Sequence, residues 1–517
     1  MRKRFLGSIA ALAAGAGAAW GQGPMPVNPA GGAPAAIARA GDIIPVQGPA
    51  PVIMPPIAVG PPGDPQGLGP TAGFGPPPGP MYPNPGPYTA PMYQPAPPSG
   101  YGTASTVWFT GEYMIMFGTS ESVGFPLLTT SSPNQNGVIG QPTTTALIGG
   151  EDINFGGISG MRLGGGFFGD ADRRFGFDFS SVYAQPTAYK KTFDANSAAT
   201  GGNGVAVGAG IPVLARPFID TTTGSLTSLV VVSPNIPGAI PGTESLSVGR
   251  AGISVRSSLW SADPSAIFNV FRSNPDRRLM LSLDTLVGYK YLQFNEEFVI
   301  SSKTFLRGVT AVETFGPPGP FGVPTSNGIT LVPTPVGVGG VVTRSPTTLD
   351  IADRFVTTNR FNGGNFGIRA EARYGMFTFA TRAMVGIGQM HQTLRIRGVT
   401  SFQNTDTGRS GFAYAGLYAN ASNVGTYTND EFAVIPDINA TVGINLTKCL
   451  SMYVGYNVIY LNRAIRPGTQ LNPLIDASTV PFSTTYGAAG TIPSAMKPLI
   501  QQEYWLQGAS FGFAFKY

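Results

Sequence analysis

The chain is 517 residues long with only 11% charged residues, against 71 glycines and 48 prolines. That is too little charge for an ordinary soluble surface, yet beyond the N-terminus no apolar run approaches the roughly 20 residues of a membrane helix. The formal net charge is +5, to which Arg2, Lys3 and Arg4 contribute three, so loss of the N-terminus leaves +2 and no charge argument for a nucleic-acid partner.

Residues 1–21 open on Met-Arg-Lys-Arg, continue through apolar and small residues, and end Ala19-Trp20-Gly21. This is the pattern of a secretory signal peptide cleaved at a small-x-small site. No cysteine follows the site, which excludes a lipoprotein. Residues 22–100 carry half of all the prolines, with Arg39, Asp42 and Asp64 as the only charges. Proline fixes φ and removes a backbone donor, so neither helix nor ladder propagates. A polyproline II or disordered periplasmic linker is expected there, with the cell wall as a candidate partner.

From 101 to 517 the pattern changes to segments of period two, the mark of strands with two unlike faces. The first, 107–117, sets Val107, Phe109, Tyr113, Ile115 and Phe117 against Thr110 and Glu112. Segments 158–168 and 175–183 are joined by a polar Gly/Asp turn and place Arg162 and Asp178 on their small-residue faces. Segment 253–271 is interrupted by Asp263-Pro264, where a bulge is expected. Segment 279–291 puts Asp284 and Lys290 on its polar face. Segments 361–374 and 377–387 do the same with Arg369, Glu371, Arg373 and Arg382. Segments 432–446, with Asp437, and 452–460 meet at a turn holding Cys449, the one cysteine. The last, 503–517, alternates Trp505, Phe511, Phe513, Phe515 and Tyr517 with Gly508, Ser510, Gly512 and Ala514.

Aromatics filling one face up to the terminal carboxylate suit lipid better than a protein core. A strand spanning an outer membrane needs about 9 to 11 residues, apolar outward and polar inward. The expected fold is all-β: a closed antiparallel up-and-down transmembrane β-barrel of about ten strands. Twelve is the alternative if 294–300 begins an extra hairpin. Tight turns follow the even strands and long loops the odd ones, as both termini in the periplasm require.

The charges expected to face the lumen are Glu112, Arg162, Asp178, Arg256, Asp284, Lys290, Arg369, Glu371, Arg373, Arg382 and Asp437. Both signs in so narrow a ring predict ion pairs across it. Catalysis would have to use His391, the only histidine, and no segment sets a nucleophile beside it. No Cys/His cluster suits zinc, and no acidic loop suits calcium. Gly164-Gly165-Gly166 precedes no helix and so is no phosphate cradle. No catalytic, cofactor or metal site is expected, and the chain is read as a non-enzyme.

Several stretches resemble the porin-like outer-membrane β-barrel proteins expanded in planctomycete bacteria. They are Thr106-Val-Trp-Phe-Thr-Gly-Glu-Tyr-Met-Ile-Met-Phe117, Pro126-Leu-Leu-Thr-Thr130, Pro142-Thr-Thr-Thr-Ala-Leu-Ile-Gly-Gly150, Leu214-Ala-Arg-Pro-Phe218, Arg360-Phe-Asn-Gly-Gly364, Asp430-Glu-Phe-Ala-Val-Ile-Pro436 and Ile465-Arg-Pro-Gly468. The resemblance implies a bacterial outer-membrane location and a porin-like channel for small solutes. A non-conducting barrel whose loops form a cell-surface layer is the competing expectation. The partners expected are outer-membrane lipid and the barrel-insertion machinery, which would read the C-terminal strand. Replacing Phe515 and Tyr517 together with Ser is expected to reduce assembled barrel in outer-membrane fractions at least several-fold, measured as heat-modifiable band; unchanged yield would remove the insertion role of this strand.

Overall fold

The computed structural model describes residues 107–170, 172–194, 213–232, 248–273, 278–306, 309–315, 326–333, 347–405, 408–481, 483 and 499–517. All belong to one compact unit, Ala96–Tyr517. The signal peptide and linker expected at 1–21 and 22–100 lie outside the described residues. The strands, in chain order, are β1 (Val107–Gly118), β2 (Pro126–Ser131), β3 (Thr145–Gly149), β4 (Ile158–Phe168), β5 (Phe175–Asp194), β6 (Val213–Asp220), β7 (Leu226–Val232), β8 (Val248–Arg272), β9 (Leu279–Leu306), β10 (Val309–Phe315), β11 (Ser326–Pro333), β12 (Thr347–Tyr374), β13 (Phe377–Asn404), β14 (Ser410–Ala413), β15 (Gly425–Asn445), β16 (Leu450–Ile465), β17 (Leu474–Ile475) and β18 (Gln501–Lys516).

Ten of these form an antiparallel ring in the order β12-β9-β8-β5-β4-β1-β18-β16-β15-β13, and β13 pairs back onto β12. The C-terminal strand closes the seam: Val107 and Tyr517 exchange backbone hydrogen bonds of 3.0 and 2.8 Å. The outward faces match the period read from the sequence. Phe109, Phe167, Phe175, Leu279, Phe366, Phe379, Phe432 and Phe515 are exposed, as a lipid-facing belt requires. Ring contacts between Trp260 and Tyr291 (5.0 Å) and between Tyr460 and Trp505 (4.4 Å) lie near its upper edge. The β12–β13 turn needs only Gly375 and Met376. Gly375 takes φ +58, the sign that two-residue hairpins demand.

Two details differ from expectation. No bulge sits at Asp263-Pro264: Ala262↔Tyr291 and Ser265↔Gly288 keep one register across the proline, and the shift against β9 falls between Asn269 and Phe271. The stretch 294–300 continues β9, so the ring has ten strands and not twelve.

The strands are also far longer than a bilayer needs. β9, β12 and β13 have 28 residues each, whereas β1 has 12 and β4 has 11. At about 3.3 Å per residue the long ones reach roughly 90 Å, about three times the hydrocarbon thickness. Residues 185–194, 248–250, 293–306, 347–359, 398–404 and 425–430, in stretches expected as loop, are therefore barrel wall standing above the membrane. Inside that wall lies a second sheet, β17-β6-β2-β3 with β7 on β6. Leu127, Leu128, Leu214 and Val231 of this inner sheet share one core with Val255, Phe298, Phe355 and Ile396 of the wall. Inward β-alternation continues here, but its occupants now include large apolar residues, because the partner inside is protein.

Phe298 and Phe355 are fully buried between wall and inner sheet. Phe298→Ala is expected to cost about 3 to 5 kcal/mol locally. Amide exchange in 213–232 should accelerate while the heat-modifiable barrel persists; unchanged exchange would mean that the inner sheet does not depend on this contact.

Candidate functional site

The lumen is where the sequence concentrates its buried charge, and side chains fill it in layers. At the end near the short turns, Glu371 contacts Arg373 at 3.2 Å and Lys516 at 3.0 Å. Next, Arg369 contacts Asp284 at 2.8 Å and Asp178 at 3.3 Å, while Arg382 contacts Asp178 at 3.2 Å and Asp263 at 3.7 Å. Arg162 meets Asp437 at 2.8 Å, and Lys290 bridges Asp437 at 3.1 Å and Asp263 at 3.0 Å. Four cations thus balance four carboxylates, as a low-dielectric interior requires, since an unpaired charge there is costly. Arg369 and Arg382 stand directly opposite each other in register, and Asp178 between them relieves a like-charge pair. Among the described residues Glu112 has no ion pair; it accepts hydrogen bonds from Asn439 (3.2 Å), Tyr453 (3.4 Å) and Asn457 (3.5 Å).

Above the charged network comes an apolar layer contributed around the ring, including Met114, Val182, Leu292, Phe361, Met390 and Ile435. Higher still, Arg466 lies between Glu121 at 2.7 Å and Glu296 at 2.8 Å, with its guanidinium 5.3 Å from the ring of Tyr504. At the level of the inner sheet Arg216 of β6 pairs with Asp353 of the wall, lies 5.0 Å from the Tyr418 ring and donates to Ser302 at 3.3 Å.

Of the charges read as inward, the ten from Glu112 to Asp437 other than Arg256 all lie in this lumen. Arg256 does not: its side chain is 67% exposed on the outer face, 3.9 Å from Glu297. Asp263-Pro264 was read as a break in this segment; with the register continuous across it, Arg256 points out and Asp263, which was given no face, points in. Glu121, Glu296, Asp353, Arg216 and Arg466 were also missed as charges. Arg216 and Arg466 do lie within the motifs 214–218 and 465–468. His391 is on the outer surface with Asp430 at 2.7 Å, and Cys449 is exposed in the β15–β16 turn.

A closed ring with lipid-facing aromatics, a paired charged interior and long walls on one side defines an outer-membrane β-barrel protein. The chain belongs to the family described as "Putative beta barrel porin-7 (BBP7)", whose model matches residues 108–315 and 340–517. Comparison with curated proteins gives no match. Among solved structures, the chain is similar to the outer membrane protease OmpT from Escherichia coli at 7% identity, covering 80% of this chain and 98% of that one, with a TM-score of 0.27. A Pseudomonas aeruginosa FadL homologue matches at 8% identity over 80% and 90%, with a TM-score of 0.17. The P. putida toluene transporter TodX matches at 7% over 80% and 90%, with a TM-score of 0.16.

The Glu121–Arg466–Glu296 group, above the membrane, makes the upper lumen sensitive to pH. Burial first, and then the neighbouring charge of Glu296, raise the Glu121 carboxyl from its ordinary 4.5 to about 8. The folded state therefore holds this proton where the unfolded chain has released it. The resulting stabilisation is complete below about pH 4.5 and declines as pH rises to about 8. Unfolding of the part above the membrane should shift to lower temperature between pH 5 and pH 8.5, and Glu121→Gln should flatten that slope; an equal slope in the variant would assign it to another group.

Proposed function

We propose that this protein is a non-conducting outer-membrane barrel, an anchor that holds a rigid β-walled platform at the cell surface. The filled lumen carries this reading. A balanced ion-pair network lies beneath an apolar layer, and Arg466 with its two carboxylates and the inner sheet lie above that. A solute path would have to separate charges that are nearly all removed from solvent, and doing so leaves each one uncompensated at a cost of several kcal/mol. In this reading the signal peptide at 1–21 is removed, the insertion machinery reads β18, and the Pro-rich 22–100 tethers the barrel toward the cell wall. No catalysis, cofactor or metal takes part. The porin description of the family supports the other reading, a channel for small solutes, which would require the inner sheet and upper lumen to move.

Planar-bilayer recordings on refolded wild type are expected to show insertion without conductance steps. In parallel, Arg369→Gln with Arg382→Gln strands Asp178 and should lower the heat-modification temperature, with a loss of about 3 to 5 kcal/mol per broken buried pair. Steady wild-type conductance whose ion preference changes in a normally stable variant would overturn the anchor reading and put the channel in its place.

A further inference from the structure

The outer surface of the wall, just above the lipid belt, carries a group of exposed arginines that outnumber the carboxylates they meet. On β12 the outward series runs from Ile368 and Phe366 in the belt to Asn362, which accepts from the Tyr289 hydroxyl at 2.6 Å. It continues to Arg360 and Arg354, both exposed. On β13 the outward Arg395 and Arg397 are exposed, and on β8 so is Arg256. These strands are neighbours in the order β13-β12-β9-β8, so the five guanidinium groups share one face. The acidic residues of the same face are mostly engaged. Asp350 pairs with Lys303 at 3.3 Å and Asp430 with His391 at 2.7 Å. Glu297 serves Arg354 at 2.6 Å and Arg256 at 3.9 Å. Among the described residues, Arg360, Arg395 and Arg397 have no carboxylate in contact.

The register sharpens this. Arg354 stands directly opposite Arg397, a like-charge cross-strand pair that costs stability unless an anion is present. In the lumen the equivalent pair, Arg369 opposite Arg382, has Asp178 between its members. Outside, Glu297 lies against Arg354 and, among the described residues, no carboxylate bridges to Arg397. The spread of the group then selects the anion. Arg354 is eight residues above Asn362, about 26 Å along the strand, and roughly 20 Å in height once strand tilt is allowed for. A phospholipid headgroup layer is only about 5 to 8 Å thick per leaflet and would reach Arg360 alone. Arg354, Arg395 and Arg397 stand beyond it, at the height of anionic sugars attached to a lipid. Arginine's planar fork suits phosphate in particular.

We propose that the β8–β13 face binds a phosphorylated glycolipid of the outer leaflet. One phosphate would lie near Arg360 at the lipid edge, and further anionic groups of its saccharide near Arg354, Arg395 and Arg397. The site lies outside the barrel and does not depend on whether the lumen conducts. The test uses full-length protein in phosphatidylcholine nanodiscs containing either a core-bearing, phosphorylated lipopolysaccharide or phosphatidylglycerol, with lipid retained after detergent extraction quantified by mass spectrometry. Wild type should retain the glycolipid at least tenfold over phosphatidylglycerol, with release at high salt. The Arg354→Gln, Arg395→Gln, Arg397→Gln variant should lose most of that preference while remaining heat-modifiable. Glu297→Gln, which removes the patch's own carboxylate, should raise retention several-fold, and it decides the matter if the triple variant fails to assemble. Equal retention in wild type and the triple variant, equal retention of the two lipids, or no gain in Glu297→Gln would each overturn the proposal.

Discussion

In a bilayer no water is present to satisfy backbone N–H and C=O groups, so a strand protein can cross only as a closed ring. Everything else here depends on that closure. It is made at two seams: β18 lies between β1 and β16, and β12 pairs with β13 through a two-residue turn. Closure requires small residues where strands approach closely on the inner face. A Cβ on Gly508 would fall 2.0 Å from the carbonyl oxygen of Ile115, so this position of the final strand accepts nothing larger.

A ring of ten strands encloses enough space to need filling but not enough for a wide aqueous channel. The protein fills it with pairs. Arg162, Lys290, Arg369 and Arg382 interlock with Asp178, Asp263, Asp284 and Asp437, drawn from seven different strands, and the pairs Arg162–Asp437, Lys290–Asp437, Arg369–Asp178 and Arg382–Asp178 join strands that are not neighbours in the ring. Burying such charges is costly, and the gain is in specificity more than in stability: a strand slipped by one residue would send its charge into lipid.

Above the membrane the same ring changes its role. The strands continue because their ladders remain satisfied, but the lumen now holds the inner sheet, whose apolar face meets Val255, Phe298 and Phe355. The outer face loses its aromatics and gains arginines. One wall therefore meets three environments along its length: lipid, then the headgroup edge, then water outside with a protein core inside.

Period two with aromatics on one side and small or polar residues on the other was enough, from sequence, to locate ten strands, their turns and the faces of Glu112, Arg162, Asp178, Asp284, Lys290, Arg369, Glu371, Arg373, Arg382 and Asp437. Lipid imposes that contrast residue by residue, so it is local and readable. Arg256 was assigned to the wrong face and Asp263 to none, in a segment where Pro264 looked like a break, whereas register is set by two neighbouring strands and β5 and β9 carry it past Pro264 unshifted. The upper halves of β9, β12 and β13 were read as loop because above the bilayer polar residues face water and apolar ones face the inner sheet, which blurs the signal. What fills the lumen was decided only in three dimensions. Glu121, Glu296 and Arg466 lie far apart in the chain, and only ring closure brings both carboxyl groups within 3 Å of the Arg466 guanidinium.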